Sequence, residues 1–403
     1  MKLNLYGLSP SANTGILGGL LLFLVMGYIN PFFTLYVNEL GRSNSDIGFL
    51  VMVRGLAAIG VSLPAGHLID KQGVFRVLGM GLIGITASFL ILLASQYWWA
   101  LGISQIFYGV STTILVTGFQ VLVSKGDRDT RNRAIKRYAM WIAAGTMAGP
   151  LLGGIIVQFS VSTVTGYQNA FLFSAVWSSI GFLALLTLNR HRSAFQNPEA
   201  PIAAPSKQSW SQVLTGSRGL LSVKAVQAGL IITFIIMFIQ GLYISFVPVY
   251  FQQSGYSTQW IALCLSAYGF GGFAARILIP QLSKRLEQMP ILLLAGVVSS
   301  AGILLMPISA VSPVLGFILM LVTGGAVGLN LPISIMLMVD WVQGRAHGKL
   351  MGLRLLVNRT AQMISPMVFG LVGQVYGLST AFFFSGAFLM IAMVFFTLVV
   401  RRE

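Results

Sequence analysis

The sequence predicts an all-α membrane protein of about twelve transmembrane helices, on three observations. The first is composition: 56% of the 403 residues are hydrophobic and only 8% charged, with a mean hydropathy of +0.83. A soluble domain carries roughly 25% charged residues. A chain this poor in charge cannot coat itself with polar surface, so its exterior faces lipid. The second is the length of the apolar runs. In lipid every backbone polar group must pair within the protein, which leaves helices or a closed barrel. The runs are about 20 residues or longer, as spanning helices require, and not the ~10-residue alternating segments of a barrel. The third is the spacing of lysine and arginine, which cluster in every second loop.

In chain order the spans are predicted near residues 14–38, 46–69, 76–96, 98–122, 138–160 and 167–188. After a polar stretch they resume at 226–252, 258–281, 290–309, 312–338, 351–375 and 380–400. Each is close to the ~30 Å hydrocarbon thickness at 1.5 Å rise per residue. The N-terminal MKLNLYGLSPSANTG is polar and precedes an apolar run too long for a signal-peptide core, so no cleavable signal is expected. Basic residues mark the loops after the second span (Lys71, Arg76), the fourth (Lys125, Arg128, Arg131, Arg133, Lys136, Arg137), the eighth (Lys284, Arg285) and the tenth (Arg345, Lys349). They also mark both termini, at Lys2, Arg401 and Arg402. The alternate loops hold little beyond Arg42. The positive-inside rule then places both termini in the cytoplasm of a cell inner or plasma membrane. The net charge of +16 is this topology signal spread over loops, not a nucleic-acid patch, and it sits well against anionic headgroups.

Residues 189–224 are rich in Pro, Ala, Ser and Gln and read as a linker. Trp210 to Leu221 within them suits a short helix on the membrane surface. The predicted organisation is a six-helix bundle over 1–188, the linker, and a second bundle over 225–403. The halves look repeated. Gly41, Ser43, Ile47 and Gly55 align with Gly255, Ser257, Ile261 and Gly269 at one offset, which also brings Leu68 onto Leu282. A shift of two more residues places Pro150 on Pro366 and Gly154 on Gly370. Both members of each pair share one orientation, so the repeats are parallel, a pattern found among secondary transporters.

Two motifs make a family resemblance. The stretch GHLIDKQGVFRVL after the second span is similar to the loop pattern G-x-L-x-D-R-x-G-R-K of the major facilitator superfamily, with Gly66, Leu68, Asp70, Lys71, Gly73 and Arg76 in place. GTMAGPLLGG fits the superfamily's fifth-helix antiporter pattern G-x-x-x-G-P-x-x-G-G at Gly145, Gly149, Pro150, Gly153 and Gly154. The chain therefore resembles the twelve-helix drug and metabolite:proton antiporter branch over its whole length. The resemblance implies a secondary transporter working by alternating access, and the fifth-helix pattern points to export.

Gly145, Gly149 and Gly153 recur every four residues and so share one helix face. A face without side chains admits another backbone. Pro150 frees a carbonyl one turn earlier. Two readings stand: ordinary close helix packing, or a seam between the halves that closes the outer gate, where the family places this surface. Asp70 likewise either stabilises its own turn or accepts hydrogen bonds from the start of the eleventh helix near Lys349, as the resemblance implies. Lys284 occupies the equivalent position in the second half, so such a latch exists on one side only.

Arginines lie within the predicted spans, where ionisable groups are functional candidates. Arg54 is near mid-depth of the second span, Arg276 is in the eighth, and Arg354 and Arg359 are in the eleventh. Arg354 is near enough to the helix start to snorkel to the interface; Arg54 and Arg359 are expected to face a cavity. The nine acids (Glu39, Asp46, Asp70, Asp127, Asp129, Glu199, Glu287, Asp340 and Glu403) all avoid mid-membrane positions. Charge complementarity then favours an anionic cargo such as a siderophore-like chelator, an organic acid, an anionic drug or an anionic lipid. The remaining expected lining is amphipathic: Tyr28, Asn30 and Tyr36 in the first span, Gln105, Tyr108 and Gln120 in the fourth, Gln240, Tyr243 and Tyr250 in the seventh, and Asn330 in the tenth. The family also often carries L-x-x-x-R-x-x-Q-G in the fourth helix, linked to proton coupling. Here LGISQIFYG puts Gln105 at the arginine and Tyr108 at the glutamine. Glu39 and Asp46, near the outer face, remain as carboxylates able to take up a proton.

No P-loop is present, the three histidines (His67, His191, His347) stand near loops, and the single cysteine, Cys264, cannot form an intrachain disulfide. An enzyme, a metal centre and a cofactor are therefore not expected. The expected partners are a small-molecule substrate, the bilayer and protons, with no nucleic acid and a monomer as the working unit. Proton-coupled import of an organic anion and lipid flipping are the alternatives on the same fold.

Overall fold

A computed structural model describes residues 9–124, 128–190, 223–339 and 347–401. The expected linker helix over Trp210 to Leu221 falls outside them, as do Asp127, Glu199, Asp340 and Glu403. Twelve helices carry the described chain: α1 (Pro10–Glu39), α2 (Asn44–Gln72), α3 (Val74–Ala94), α4 (Trp98–Val123), α5 (Arg128–Gln158), α6 (Thr163–Arg190), α7 (Lys224–Ser245), α8 (Thr258–Leu282), α9 (Gln288–Leu304), α10 (Pro313–Val339), α11 (His347–Tyr376) and α12 (Leu378–Arg401). A short helix, Val247–Gln253, extends α7 past a break at Phe246. Eleven of the twelve are long and apolar enough to cross a membrane, and α9 is a shorter apolar helix.

The differences from the predicted spans have local causes. The seventh span breaks at Phe246 because Pro248, lacking an N–H, starts a new helix. The ninth ends at Leu304, and a 3₁₀ turn over Met306–Val311 follows with Pro307 in its first positions. Arg131, Arg133, Lys136 and Arg137, expected in a loop, lie in the first turns of α5. Asp70 and Lys71 likewise belong to the last turn of α2, which Gly73 ends at φ 84°, a conformation that favours glycine.

The described chain forms two compact units. One comprises Met1–Ile29 and Val53–Gln208; the other comprises Asn30–Met52 and Ser209–Glu403. In the first, α3 packs on α4 and α6; in the second, α9 packs on α10 and α12. The partners are equivalent under the repeat, and the local geometry repeats with them. Gly41 (φ 71°) and Gly255 (φ 84°) turn the chain before α2 and α8. Each turn closes with the same pair of backbone bonds: Gly41 N to Asn38 O and Arg42 N to Val37 O, then Gly255 N to Gln252 O and Tyr256 N to Phe251 O. Ser43 and Ser257 cap the helices that follow.

Close helix contacts recur as well. A Cβ on Gly109 of α4 would strike the Arg54 carbonyl of α2, and one on Gly324 of α10 would strike the Tyr268 carbonyl of α8. Gly27 of α1 backs onto Gly149 of α5, as Gly241 of α7 backs onto Gln362 and Ser365 of α11. The outer faces of α6 and α12 are apolar and open. Ile180 is 51% exposed and Phe388 72%, the surface expected where lipid replaces water.

Candidate functional site

Each unit holds a polar cluster of its own. In the first, Tyr28 of α1 bonds Ser174 of α6 through the two hydroxyls at 2.6 Å. The Arg54 guanidinium, half-buried on α2, lies 5.8 Å from the centroid of the buried Tyr108 ring on α4. A cation over an aromatic face gains from the ring quadrupole, and more so where water is excluded. The close α2–α4 approach at Gly109 makes this pairing possible. Phe89 packs against Tyr108 from α3 at 6.0 Å between centroids. Gln105, one turn before Tyr108, is buried and donates to Ser104 at 3.4 Å, while its carbonyl oxygen accepts no hydrogen bond from the described residues.

In the second unit, Gln240 of α7 accepts a bond from Gln362 of α11 at 2.8 Å. Tyr243 stacks on Tyr268 of α8 with centroids 5.0 Å apart. Thr233 of α7 donates to the Asn330 side-chain carbonyl on α10 at 3.3 Å. Asn30 is half-buried beside Pro31. Arg359 is half-buried on α11, and Arg276 donates to the Gly328 carbonyl at 3.3 Å. Arg354 departs from expectation: it does not snorkel. It is 5% exposed and donates from Nε and Nη2 to the Ser334 hydroxyl at 3.1 and 2.9 Å. The cause is the close packing of α7, α10 and α11, which places Val226, Leu230, Met338, Leu350 and Leu353 in one cluster around this level. Ser334, Thr233 and Gln362 were missed in the sequence, since a hydroxyl or amide in an apolar run shows no partner until helices are paired.

The expected coupling carboxylates have local tasks. Asp46 closes a capping box, accepting from the Ser43 hydroxyl at 2.7 Å while its own N–H donates back to Ser43 at 3.1 Å. Glu39 accepts from Gln252 at 2.7 Å. Around it Asn38 donates to Gln252 at 2.9 Å and accepts from Gln253 at 3.1 Å. Asn44, at the start of α2, donates its N–H to Gln374 at 2.9 Å and its amide to the Gly373 carbonyl. A Cβ on Gly48 would strike the Pro366 carbonyl. The α1–α2 turn is thereby clasped to the short helix after α7 and to the end of α11, all within the second unit.

The loop-motif residues Asp70, Lys71 and Arg76 are exposed, with Gly66 and Gly73 half-buried between helices. The fifth-helix residues Gly145, Gly149, Pro150, Gly153 and Gly154 are all buried. Gly145 and Gly149 face α1 of their own unit, at Leu20, Leu24 and Gly27. The Thr146 carbonyl, freed by Pro150, lies 3.2 Å from where a Gly27 Cβ would stand, so it meets a Cα–H instead. At these two positions the glycine face thus serves packing inside one unit.

The comparisons with known proteins agree with this architecture. The Major Facilitator Superfamily model matches residues 15–322 and 290–403. The quinolone resistance protein NorA of Staphylococcus aureus (strain Mu50 / ATCC 700699) is 22% identical over 255 residues, covering 62% of this chain and 61% of NorA. A multi-drug resistance efflux pump PmrA homolog of Lactococcus lactis subsp. lactis (strain IL1403) is 30% identical over 164 residues, 38% of this chain and 40% of that protein. The match therefore spans less than two thirds of these relatives. Among solved structures, a bacterial homolog of the human lysosomal transporter Spinster superposes with a TM-score of 0.78 at 14% identity, covering 97% of this chain and 96% of that one. A D-xylose–proton symporter gives 0.74 at 14% identity, over 95% and 96%. On the family match across the chain and the shared fold, this protein is a multi-pass membrane protein belonging to the Major Facilitator Superfamily.

Proposed function

We propose that the protein is a secondary active exporter of an inner or plasma membrane, taking small amphipathic molecules that carry negative charge. It works by alternating access between two six-helix halves, driven by a proton gradient, with both termini in the cytoplasm and a monomer as the working unit. One observation carries the charge preference. Arg54, Arg276, Arg354 and Arg359 lie inside spanning helices, while the acids on the described helices (Glu39, Asp46, Asp70, Asp129) stand at helix ends. A positive membrane interior accepts an anion and repels a cation. The name of the PmrA homolog as an efflux pump, that of NorA as a quinolone resistance protein, and the fifth-helix pattern support the outward direction. The aromatic pair of Tyr243 and Tyr268 suits the apolar part of such a molecule.

Everted membrane vesicles test this. Nalidixic acid, a quinolone carboxylate, should accumulate on energisation and leave when the proton gradient is collapsed, while its ethyl ester should not respond. Preferential accumulation of ethidium, a permanent cation, would sink the charge reading. Arg359→Ala and Arg54→Ala should each lower nalidixate accumulation, because each removes positive charge from the membrane interior.

A further inference from the structure

Arg354 stands out among the arginines of the described helices because it is buried, at 5% exposure, where Arg54 and Arg359 are half-buried. Its only acceptor among the described residues is the hydroxyl oxygen of Ser334, which takes two of its five N–H groups. That hydroxyl already donates its own proton to the Asn330 carbonyl on α10, so its lone pairs are turned to the guanidinium. Asn330 is wholly buried. Its side-chain oxygen is fixed by Thr233, which leaves its Nδ2 group as a donor with no acceptor among the described residues. Between α7, α10 and α11 the protein therefore holds a buried cation met by one neutral hydroxyl and, one turn along α10 from that hydroxyl, a buried amide donor. A hydroxyl is not a counterion. Buried charges are tolerated where they are paired, so the chemistry of this donor set asks for an anion.

We propose that Arg354, Ser334 and the Asn330 amide form an anion site in the C-terminal half, one that takes the carboxylate of the transported molecule. The assignment rests on the anion-export reading above and gives it an address. The fork of Arg354 supplies the two parallel bonds that a carboxylate accepts, and Asn330 Nδ2 supplies a third. The apolar cluster of Val226, Leu230, Met338, Leu350 and Leu353 keeps water from competing there.

Equilibrium binding of radiolabelled nalidixate and of its ethyl ester to the full-length protein in lipid nanodiscs tests the site. The wild type should prefer the acid. Arg354→Gln should bind the acid weaker on the order of 30-fold or more, with ester binding unchanged, and Arg354→Lys should fall between. Asn330→Asp keeps the shape and places a carboxylate one turn of α10 from Ser334, so it should lose the acid preference while melting no lower than wild type. This variant carries the test where Arg354→Gln does not fold. Acid affinity within about threefold of wild type in either Arg354→Gln or Asn330→Asp would overturn the site while leaving anion export standing. A wild type that binds acid and ester alike would overturn both. Asp340, further along the chain than Ser334, lies outside the described residues. If Asp340→Asn is what strengthens acid binding, the arginine's anion is internal and the proposal falls.

Discussion

Gly149 is the residue whose environment changes most between sequence and structure. Read alone it allows either ordinary close packing or a seam between halves. In the structure a Cβ there would strike the Leu24 carbonyl and stand 3.0 Å from the Gly27 Cα, so bulk at this position pushes α1 and α5 apart within one unit. Gly149→Leu should therefore abolish transport through loss of folded protein as well as loss of motion. Even Gly149→Ala should cost about 1–3 kcal/mol, the usual range for overpacking. Gly181→Ala is the control: its Cβ would meet only Leu82 Cδ2 at 3.7 Å, and it should melt as wild type does. Equal melting of the two alanine variants would show that the close approach is not structural. Tyr256 offers a second test at this scale. Its hydroxyl donates to the carbonyls of Ser309 and Ser312 at 2.6 and 3.0 Å, and burial pushes its ionisation up to about 12 from 10.0. A raised phenol stabilises the fold below its unfolded value and loses that contribution as pH rises from 10 toward 12. Tyr256→Phe should lower stability by about 1 kcal/mol at neutral pH and flatten the decline over that alkaline window, as a melting series against pH would show. Arg354 was misplaced by sequence reasoning for a physical reason. Depth along a helix says how far a side chain must reach to water, but not whether neighbouring helices block the way.

At the scale of elements, the α1–α2 turn has the most specific connections. Glu39, Asn38 and Asn44 meet Gln252, Gln253 and Gln374 through a set of neutral or singly charged hydrogen bonds. Such bonds are worth about 1 kcal/mol each, so the set contributes a few kcal/mol to keeping the turn in place. Combining Gln252→Ala with Gln374→Ala should raise the separated population on the order of tenfold or more. Spin labels on the turn and near Tyr376 should show a second, longer distance in this variant, and an unchanged distribution would count against a clasp. None of these partners was legible, because polar residues at span ends read only as interface. The helices themselves were legible from apolar length alone. Their interruptions at Phe246 and Leu304 were not, because a proline marks a break only when the turn before it has somewhere to go.

At the scale of the molecule, composition decided the solvent and the offset between halves decided the plan. The repeat was legible in Gly41 and Gly255 because a left-handed turn constrains residue type. It was much less legible in the close contacts, where Gly149 answers to Ser365. The exposed faces of α6 and α12 should lie in lipid. In a Cys264→Ala background, cysteines at Ile180 and Phe388 should resist a membrane-impermeant maleimide from both sides. A cysteine at Asp70 should react in everted vesicles and stay silent in intact cells; labelling in intact cells would reverse the proposed orientation.

The backbone niche beside Gly109 and Gly324 carries one further consequence. The same carbonyl contact is made in both halves, yet the residue that makes it is Arg54 in one and Tyr268 in the other. Two identical subunits would be obliged to present the same group twice. A fused chain has no such obligation, and here one copy has kept a cation where the other carries a neutral ring. One repeated backbone niche, carrying a cation in one half and a phenol in the other, makes the two halves alike in backbone and unlike in chemistry.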